Sequence, residues 1–137
     1  MPYEIRYRPG ASRASIVYYG HLSGGDVAQS YEDLTSRLPD SLPRLSVLHD
    51  ARGARSVVAV TGKIWHMVRA LKALQHRAPS GRAAYVGGRD HPMLVGVVRL
   101  VLKLVGTSSR ERRVFTDHDA ARAWLDEGLS GLVPPSA

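Results

Sequence analysis

The chain has 137 residues, which fits one domain, and 44% of them are hydrophobic, which is enough to build a core. The 19 Lys and Arg residues outnumber the 12 Asp and Glu residues and give a net charge of +7. The absence of cysteine excludes disulfides, thiolate metal sites and cysteine nucleophiles. The N-terminus lacks a signal-peptide pattern and no stretch approaches the ~20 apolar residues of a spanning helix, so we expect a cytoplasmic protein.

The positive charge by itself does not indicate a nucleic-acid partner. The tightest basic group, Arg110, Arg112 and Arg113, encloses Glu111 and has no interleaved aromatic residues that could stack on bases. No helix-turn-helix, zinc-finger or ribonucleoprotein motif is visible in the sequence. We therefore interpret the charge as a solvated, arginine-rich surface and expect no nucleic-acid partner.

The first third of the chain predicts an antiparallel hairpin followed by a helix. Residues 3–7 alternate apolar and charged side chains, and residues 14–19 form a second β-rich run after a Pro-Gly turn. Apolar residues at helical spacing then occupy residues 27–38. Either Ser23 or Asp26 is positioned to cap this helix.

The middle of the chain predicts two buried strands around a second helix. Residues 45–48 are a short apolar run that ends at a His-Asp pair, which is typical of a buried strand. We expect residues 51–56 to form a loop rich in Arg and Gly, and residues 57–60 to lead into the helix. Helical spacing marks residues 64–74 as that helix. Residues 83–86 are predicted to form the next buried strand.

The last third predicts a long apolar helix over residues 93–105, a strand over residues 113–115 and a final helix. Thr116 and Asp119 have the spacing of a capping box at the start of the final helix. Gly128 is expected to end it.

The predicted order of elements is β-β-α-β-α-β-α-β-α. Strands that alternate with helices are typical of an α/β fold, and here they predict a mostly parallel sheet with an N-terminal antiparallel hairpin and four helices. We expect a single domain over residues 1–128 and a flexible C-terminal tail over residues 129–137.

Several local motifs occur in a characteristic order along almost the whole chain. The most specific is R-V-F-T-D at 113–117, which runs into A-A-R-A-W-L at 120–125. It is preceded by Y-E-I-R-Y at 3–7, L-H-D-A-R at 48–52 and R-A-A-Y-V at 82–86. In this order the motifs resemble the STAS fold, in particular its SpoIIAA-like branch.

The resemblance implies a fold shared with anti-sigma-factor antagonists and with the CRAL-TRIO lipid-transfer domain. Members of this branch look like small bacterial proteins, often dimeric, some suggested to bind hydrophobic ligands or membranes through a mobile helix. Antagonists carry an Asp-Ser-Ser/Thr-Gly motif whose Ser is phosphorylated. This chain has Ala51 and Arg52 in place of the Ser-Ser/Thr pair, with Ser56 nearby as the candidate phosphorylation site.

The predicted helix over residues 93–105 is the leading functional candidate. Its apolar residues spread over roughly 220° of arc, whereas packing on one sheet face needs only about 100–140°. Neighbouring helices could bury the surplus, or it could form a homodimer interface, a lipid-like ligand site or a peripheral membrane contact. The candidate contact residues lie on this apolar face: Met93, Leu94, Val97, Val98, Val101 and Leu104.

A candidate anion site lies where the predicted strands end. Backbone N–H groups near Gly88 and Arg89, after the predicted strand over residues 83–86, could hold an anion. Asp50, Arg52 and Gly53 follow the predicted strand over residues 45–48 and belong to the same candidate site. However, neither phosphate-binding glycine motif is present. The six histidines lack the spacing of metal ligands, so we expect no metal and no cofactor.

We predict a non-enzymatic regulatory or binding module. One alternative is a phosphoswitch like that of the anti-sigma-factor antagonists, with phosphate on Ser56. A second alternative is a small enzyme that uses His49 and Asp50 for acid–base catalysis, because α/β folds place ligand groups at strand ends. The sequence has no G-x-S-x-G elbow, which disfavours a serine hydrolase.

Overall fold

Among the residues that the structure describes, five strands form one mixed sheet whose spatial order follows the chain. The computed structural model describes residues 2–9, 11–58, 63–87, 103 and 109–130. The first two strands pair antiparallel and all later pairs are parallel. The strands are β1 (Tyr3–Tyr7), β2 (Arg13–Ser23), β3 (Ser46–Val58), β4 (Ser80–Val86) and β5 (Ser109–Phe115). The sheet therefore has the predicted N-terminal hairpin and the predicted parallel remainder.

Helices cover both faces of this sheet. The helices α1 (Gly24–Arg37) and α2 (Ile64–Arg77) pack against each other on one face, here called the front. The helix α3 (His118–Ser130) contacts β3, β4 and β5 on the opposite face, here called the back. Successive strand residues point to opposite faces, so Val47 joins the core under α1 and α2 while Leu48 joins the core under α3.

Among the described residues there are three helices rather than the four expected. The predicted helix over residues 93–105 lies outside the described residues, apart from Lys103, whose backbone is helical. The final helix was expected to end at Gly128 and instead continues to Ser130. A glycine costs only about 1 kcal/mol within a helix, so it does not have to end one.

The strand β3 differs most from the sequence prediction. The loop expected over residues 51–56 is wrong, because the strand continues through this stretch to Val58. Its partner β2 is also longer than expected, so that Gly20 faces Ala54 and Ser23 faces Val58. Parallel pairing supplies hydrogen bonds that outweigh the poor strand preference of an Arg- and Gly-rich sequence.

An irregular register accompanies this long pairing, because β3 has one extra residue opposite Val17–Tyr19 and another opposite Gly20–His21. Gly53 lies opposite Tyr19 at this place. A Cβ atom on Gly53 would come within 2.9 Å of the Tyr18 carbonyl oxygen. The glycine therefore permits a close approach of the two backbones.

The starts of α1 and α3 use different caps. The Ser23 hydroxyl accepts the Asp26 backbone N–H at 3.1 Å, and the Asp26 carboxylate accepts the Ser23 N–H at 2.9 Å. Both predicted candidates thus form one capping box. At α3 the expected Thr116 cap is wrong: the Asp117 carboxylate accepts the N–H groups of the residues two and three positions later, at 3.2 and 3.3 Å.

Candidate functional site

His49 and Asp50 lie on opposite faces of the sheet. His49 is buried at the front, where its ring stacks on Tyr85 with centroids 4.4 Å apart and meets the edge of Tyr31 at 5.5 Å. Asp50 is buried at the back, on the side of α3. Adjacent residues of an extended strand cannot share one pocket, so the structure does not bring this pair together for acid–base catalysis.

Asp50 instead forms a two-pronged ion pair with Arg52. The Arg52 Nε donates to Oδ1 of Asp50 at 2.9 Å, and Nη2 donates to Oδ2 at 2.8 Å. The Arg52 backbone N–H adds a third hydrogen bond to Oδ1 at 3.1 Å. Residues two apart on a strand share a face, which places both side chains at the back.

Hydrogen bonding decides the ionisation of Asp50. Burial alone would raise the pKa of this carboxyl group, whose side chain is 8% exposed. Hydrogen bonds from the Arg52 side chain and backbone, followed by the charges of Arg52 and His118, outweigh burial and lower its pKa. Asp50 is therefore a stable carboxylate at neutral pH.

His118 completes this cluster from the first turn of α3. Its Nε2 lies 4.0 Å from Oδ2 of Asp50, and its Nδ1 lies 3.7 Å from Oδ1 of Asp119. His118 was not predicted as a site residue, because a position between Asp117 and Asp119 is explained by an ordinary helix start, which favours carboxylates. The available signal was topological: α3 follows β5 and returns across the same end of the parallel sheet.

We call Asp50, Arg52 and His118 the strand-end cluster, because Asp50 pairs with Val86, the last residue of β4. It joins an anion, a cation and a titratable ring, and each is within ion-pair distance of another member. The Arg52 side chain is half exposed, whereas those of Asp50 and His118 are more buried. Within the part of the chain that the structure describes, no three His, Asp or Glu side chains are grouped to hold a metal ion.

The described residues include only part of the predicted sites. Of the proposed anion site, Asp50 and Arg52 bind each other, and Gly53 lies in the irregular stretch of β3. Gly88 and Arg89 lie outside the described residues, as do the six candidate residues of the apolar helix. Ser56 lies in β3 opposite His21, and its phosphorylation stays a prediction.

A buried polar group at the front was missed by the sequence analysis. The Tyr18 hydroxyl lies 2.9 Å from the Ser30 hydroxyl, which donates to the Val27 carbonyl at 2.6 Å. Burial raises the pKa of both Tyr18 and Tyr31 above the ordinary value, so both phenols stay neutral. These hydrogen bonds join β2 to α1 inside the core.

The arrangement of sheet and helices is similar to that of a known fold. The crystal structure of an uncharacterized protein of the DUF3478 family from Shewanella loihica, which has a SpoIIAA-like fold, matches with a TM-score of 0.54. The match covers 90% of this chain and 91% of that chain, at 18% sequence identity. This chain has a SpoIIAA-like fold. No family model and no curated protein matches it.

The SpoIIAA-like fold confirms the architecture that the motif order predicted. At this level of identity the likeness concerns the fold alone, so the site chemistry must come from this chain's own residues. Of the described helices, none has the length and apolar character needed to cross a bilayer.

Proposed function

We propose that this SpoIIAA-like domain is a non-enzymatic regulatory module that acts by binding. The observation that carries the proposal is the pair of hydrogen bonds that ties both Asp50 oxygens to Arg52. A general base works best when its pKa lies near the operating pH, and the lowered pKa of Asp50 makes it a weak base. The strand-end cluster therefore serves to connect α3 to β3 rather than to move protons.

We further propose that the predicted apolar helix over residues 93–105 supplies a homodimer interface. Its apolar arc exceeds what one sheet face can cover, and exposed apolar surface of this kind commonly marks an association site. Hydrophobic burial between two identical helices would remove this surface from water. A lipid-like ligand is the alternative occupant of the same surface.

Native mass spectrometry of protein purified from cells tests this interface. We expect the mass of a dimer for the wild type and the mass of a monomer for Val101→Asp, because a buried carboxylate opposes association. The matched control is Arg99→Asp on the polar side of the same predicted helix, which should leave the dimer intact. Circular dichroism would check that both variants remain folded.

The outcome of that measurement separates the alternatives. A monomer that carries a lipid adduct would replace the dimer proposal with ligand binding. A clean monomer of the wild type would contradict association through this helix.

A further inference from the structure

An open cavity of about 260 Å³ lies at the turn that joins β1 to β2. Among the residues that line it are Arg6, Arg8 and Arg13, and the lining residues that the structure describes include no Asp or Glu. The remaining lining residues are neutral: Tyr7, Ala11, Ala14 and Ser15. We call Arg6, Arg8 and Arg13 the hairpin arginines, and the space beside them the hairpin cavity.

Strand geometry brings the hairpin arginines to the back of the sheet. The side chain of Tyr7 packs against the front core. Because side chains alternate along a strand, its neighbours Arg6 and Arg8 lie on the other face. Arg13 also reaches the back, since it pairs with Asp126 of α3. Three guanidinium groups therefore belong to one face of the hairpin.

The hairpin arginines differ in what already holds them. Arg6 pairs with Glu4 at 3.2 Å, but their side chains are 63% and 52% exposed, and so exposed an ion pair contributes little. Arg13 is less exposed and is fixed by Asp126. Arg8 forms no ion pair with any residue that the structure describes. The cavity thus has one cation held in place, one easily released and one with its charge available.

The turn beside the cavity is fixed by hydrogen bonds. The Ala11 N–H donates to the Arg8 carbonyl at 3.0 Å, and Pro9 restricts the backbone between them. The Ser46 N–H donates to the Ser12 carbonyl at 2.8 Å, which ties the end of the turn to β3. A preformed site loses less conformational entropy when a ligand binds.

We infer that the hairpin cavity binds a small organic anion that carries a phosphate or carboxylate group. Guanidinium groups recognise both anions through paired N–H donors. Ser15 lies opposite Arg6 in the strand pair, so its hydroxyl can add a neutral donor on the same face. The volume is just below the usual range of ligand sites, which starts at about 300 Å³, so the ligand is small.

The hairpin cavity lies at the other end of the sheet from the strand-end cluster. Arg13 pairs with Ser46, the first residue of β3, whereas Asp50 pairs with Val86, the last residue of β4. Neither the strand-end cluster nor the predicted helix over residues 93–105 takes part in this site. The inference therefore goes beyond the proposed function, and its test is independent of the oligomeric state.

Isothermal titration calorimetry tests the inference with two anions, glycerol phosphate and succinate, and with glycerol as the neutral counterpart. We expect saturable one-to-one binding of at least one anion and no binding of glycerol. The stronger of the two ligands distinguishes a phosphate site from a carboxylate site. The variant Arg8→Gln should weaken binding at least about tenfold, because it removes a hydrogen bond between charged groups.

The matched control is Arg69→Gln, which removes an exposed cation on α2 and changes the net charge equally. It should bind the anion as the wild type does. Equal weakening by both variants would overturn the inference, since binding would then follow net charge alone. An Arg8→Gln variant with wild-type affinity would also overturn it, as would a folded wild type that binds neither anion.

Backbone amide chemical shifts supply a second readout that locates the ligand. A saturating anion should shift the amide signals of residues 6–8 and 13–15 more than those of residues 50–52. The shifts at the hairpin should disappear in Arg8→Gln at the same ligand concentration and persist in Arg69→Gln. Shifts centred on residues 50–52 would contradict the assignment of the site to the hairpin cavity.

Discussion

The two faces of the sheet hold their helices by different means. At the front, α1 and α2 bury large apolar side chains such as Leu34 and Leu74 against the sheet and each other. At the back, α3 buries Ala121 and Leu125 and is also tied down by arginines from the sheet. Both faces therefore depend on hydrophobic burial, and the front also has charged contacts, such as His66 of α2 with Glu32 of α1. Contacts with arginines of the sheet distinguish the back helix.

Among the described residues, arginines from two strands contact α3 directly, and an arginine of a third strand acts through Asp50. Arg82 on β4 donates to the Trp124 carbonyl at 2.8 Å and lies over the Trp124 ring at 4.7 Å. Arg13 on β2 pairs with Asp126. Arg52 on β3 holds Asp50, which lies near His118. Since charged contacts weaken with acid and salt, the two faces should respond differently to both.

The largest expected effect is within the sheet, from Gly81→Ala at the start of β4. Gly81 has a φ of +127°, and a Cβ atom there would lie 2.1 Å from the Leu45 carbonyl oxygen. We expect a loss of more than about 3 kcal/mol in the free energy of unfolding, measured by urea denaturation, because both the backbone and the neighbouring strand must shift. The control Gly25→Ala meets only the Ser23 hydroxyl, at 3.6 Å, and should change stability by less than about 1 kcal/mol.

A second effect distinguishes burial at the front from burial at the back. Both Leu74→Ala and Leu125→Ala remove fully buried side chains, and each should cost about 2–5 kcal/mol. Hydrogen exchange should show Leu125→Ala deprotecting the amides of α3 more than those of α1. Deprotection of α1 and α3 to the same extent by this variant would contradict the separation of the two faces.

A smaller effect comes from Arg82→Met, which keeps the length of the side chain and removes its charge. The loss of the hydrogen bond to Trp124 and of the cation–π contact should cost about 1–3 kcal/mol. Hydrogen exchange should again locate the loss in α3. A stability equal to that of the wild type would show that the arginine contacts do not hold the helix.

The smallest effect concerns acid. The folded pKa of Asp50 lies below its unfolded value, so the stabilisation is complete above the unfolded pKa and is lost as the pH falls through the folded pKa. Unfolding free energies measured downward from about pH 5 should fall less steeply for Asp50→Asn than for the wild type. Parallel pH profiles would contradict the assigned role of the Arg52 hydrogen bonds.

Local signals in the sequence predicted local structure well. The alternation of residues 3–7 predicted β1, and Ser23 with Asp26 predicted the start of α1. The extension of β3 was missed because it depends on pairing with a longer β2, which residues 51–56 do not encode by themselves. Composition indicated a loop there, and parallel pairing made it a strand.

The strand-end cluster could be predicted only in part. The separation of His49 from Asp50 follows from the two-residue period once β3 is known to continue, but the sequence analysis ended the strand at this pair. The approach of His118 to Asp50 joins residues far apart in the chain and requires the position of α3 on the back face. The apolar helix over residues 93–105 stays a sequence prediction.

An NMR titration of the Asp50 side-chain carboxyl carbon tests most directly whether the strand-end cluster is structural. We expect a pKa below the ordinary value of about 3.9, and a rise in that pKa when Arg52 is changed to Gln. A pKa at or above the ordinary value in the wild type, as a proton-transferring group near neutral pH would require, would contradict it.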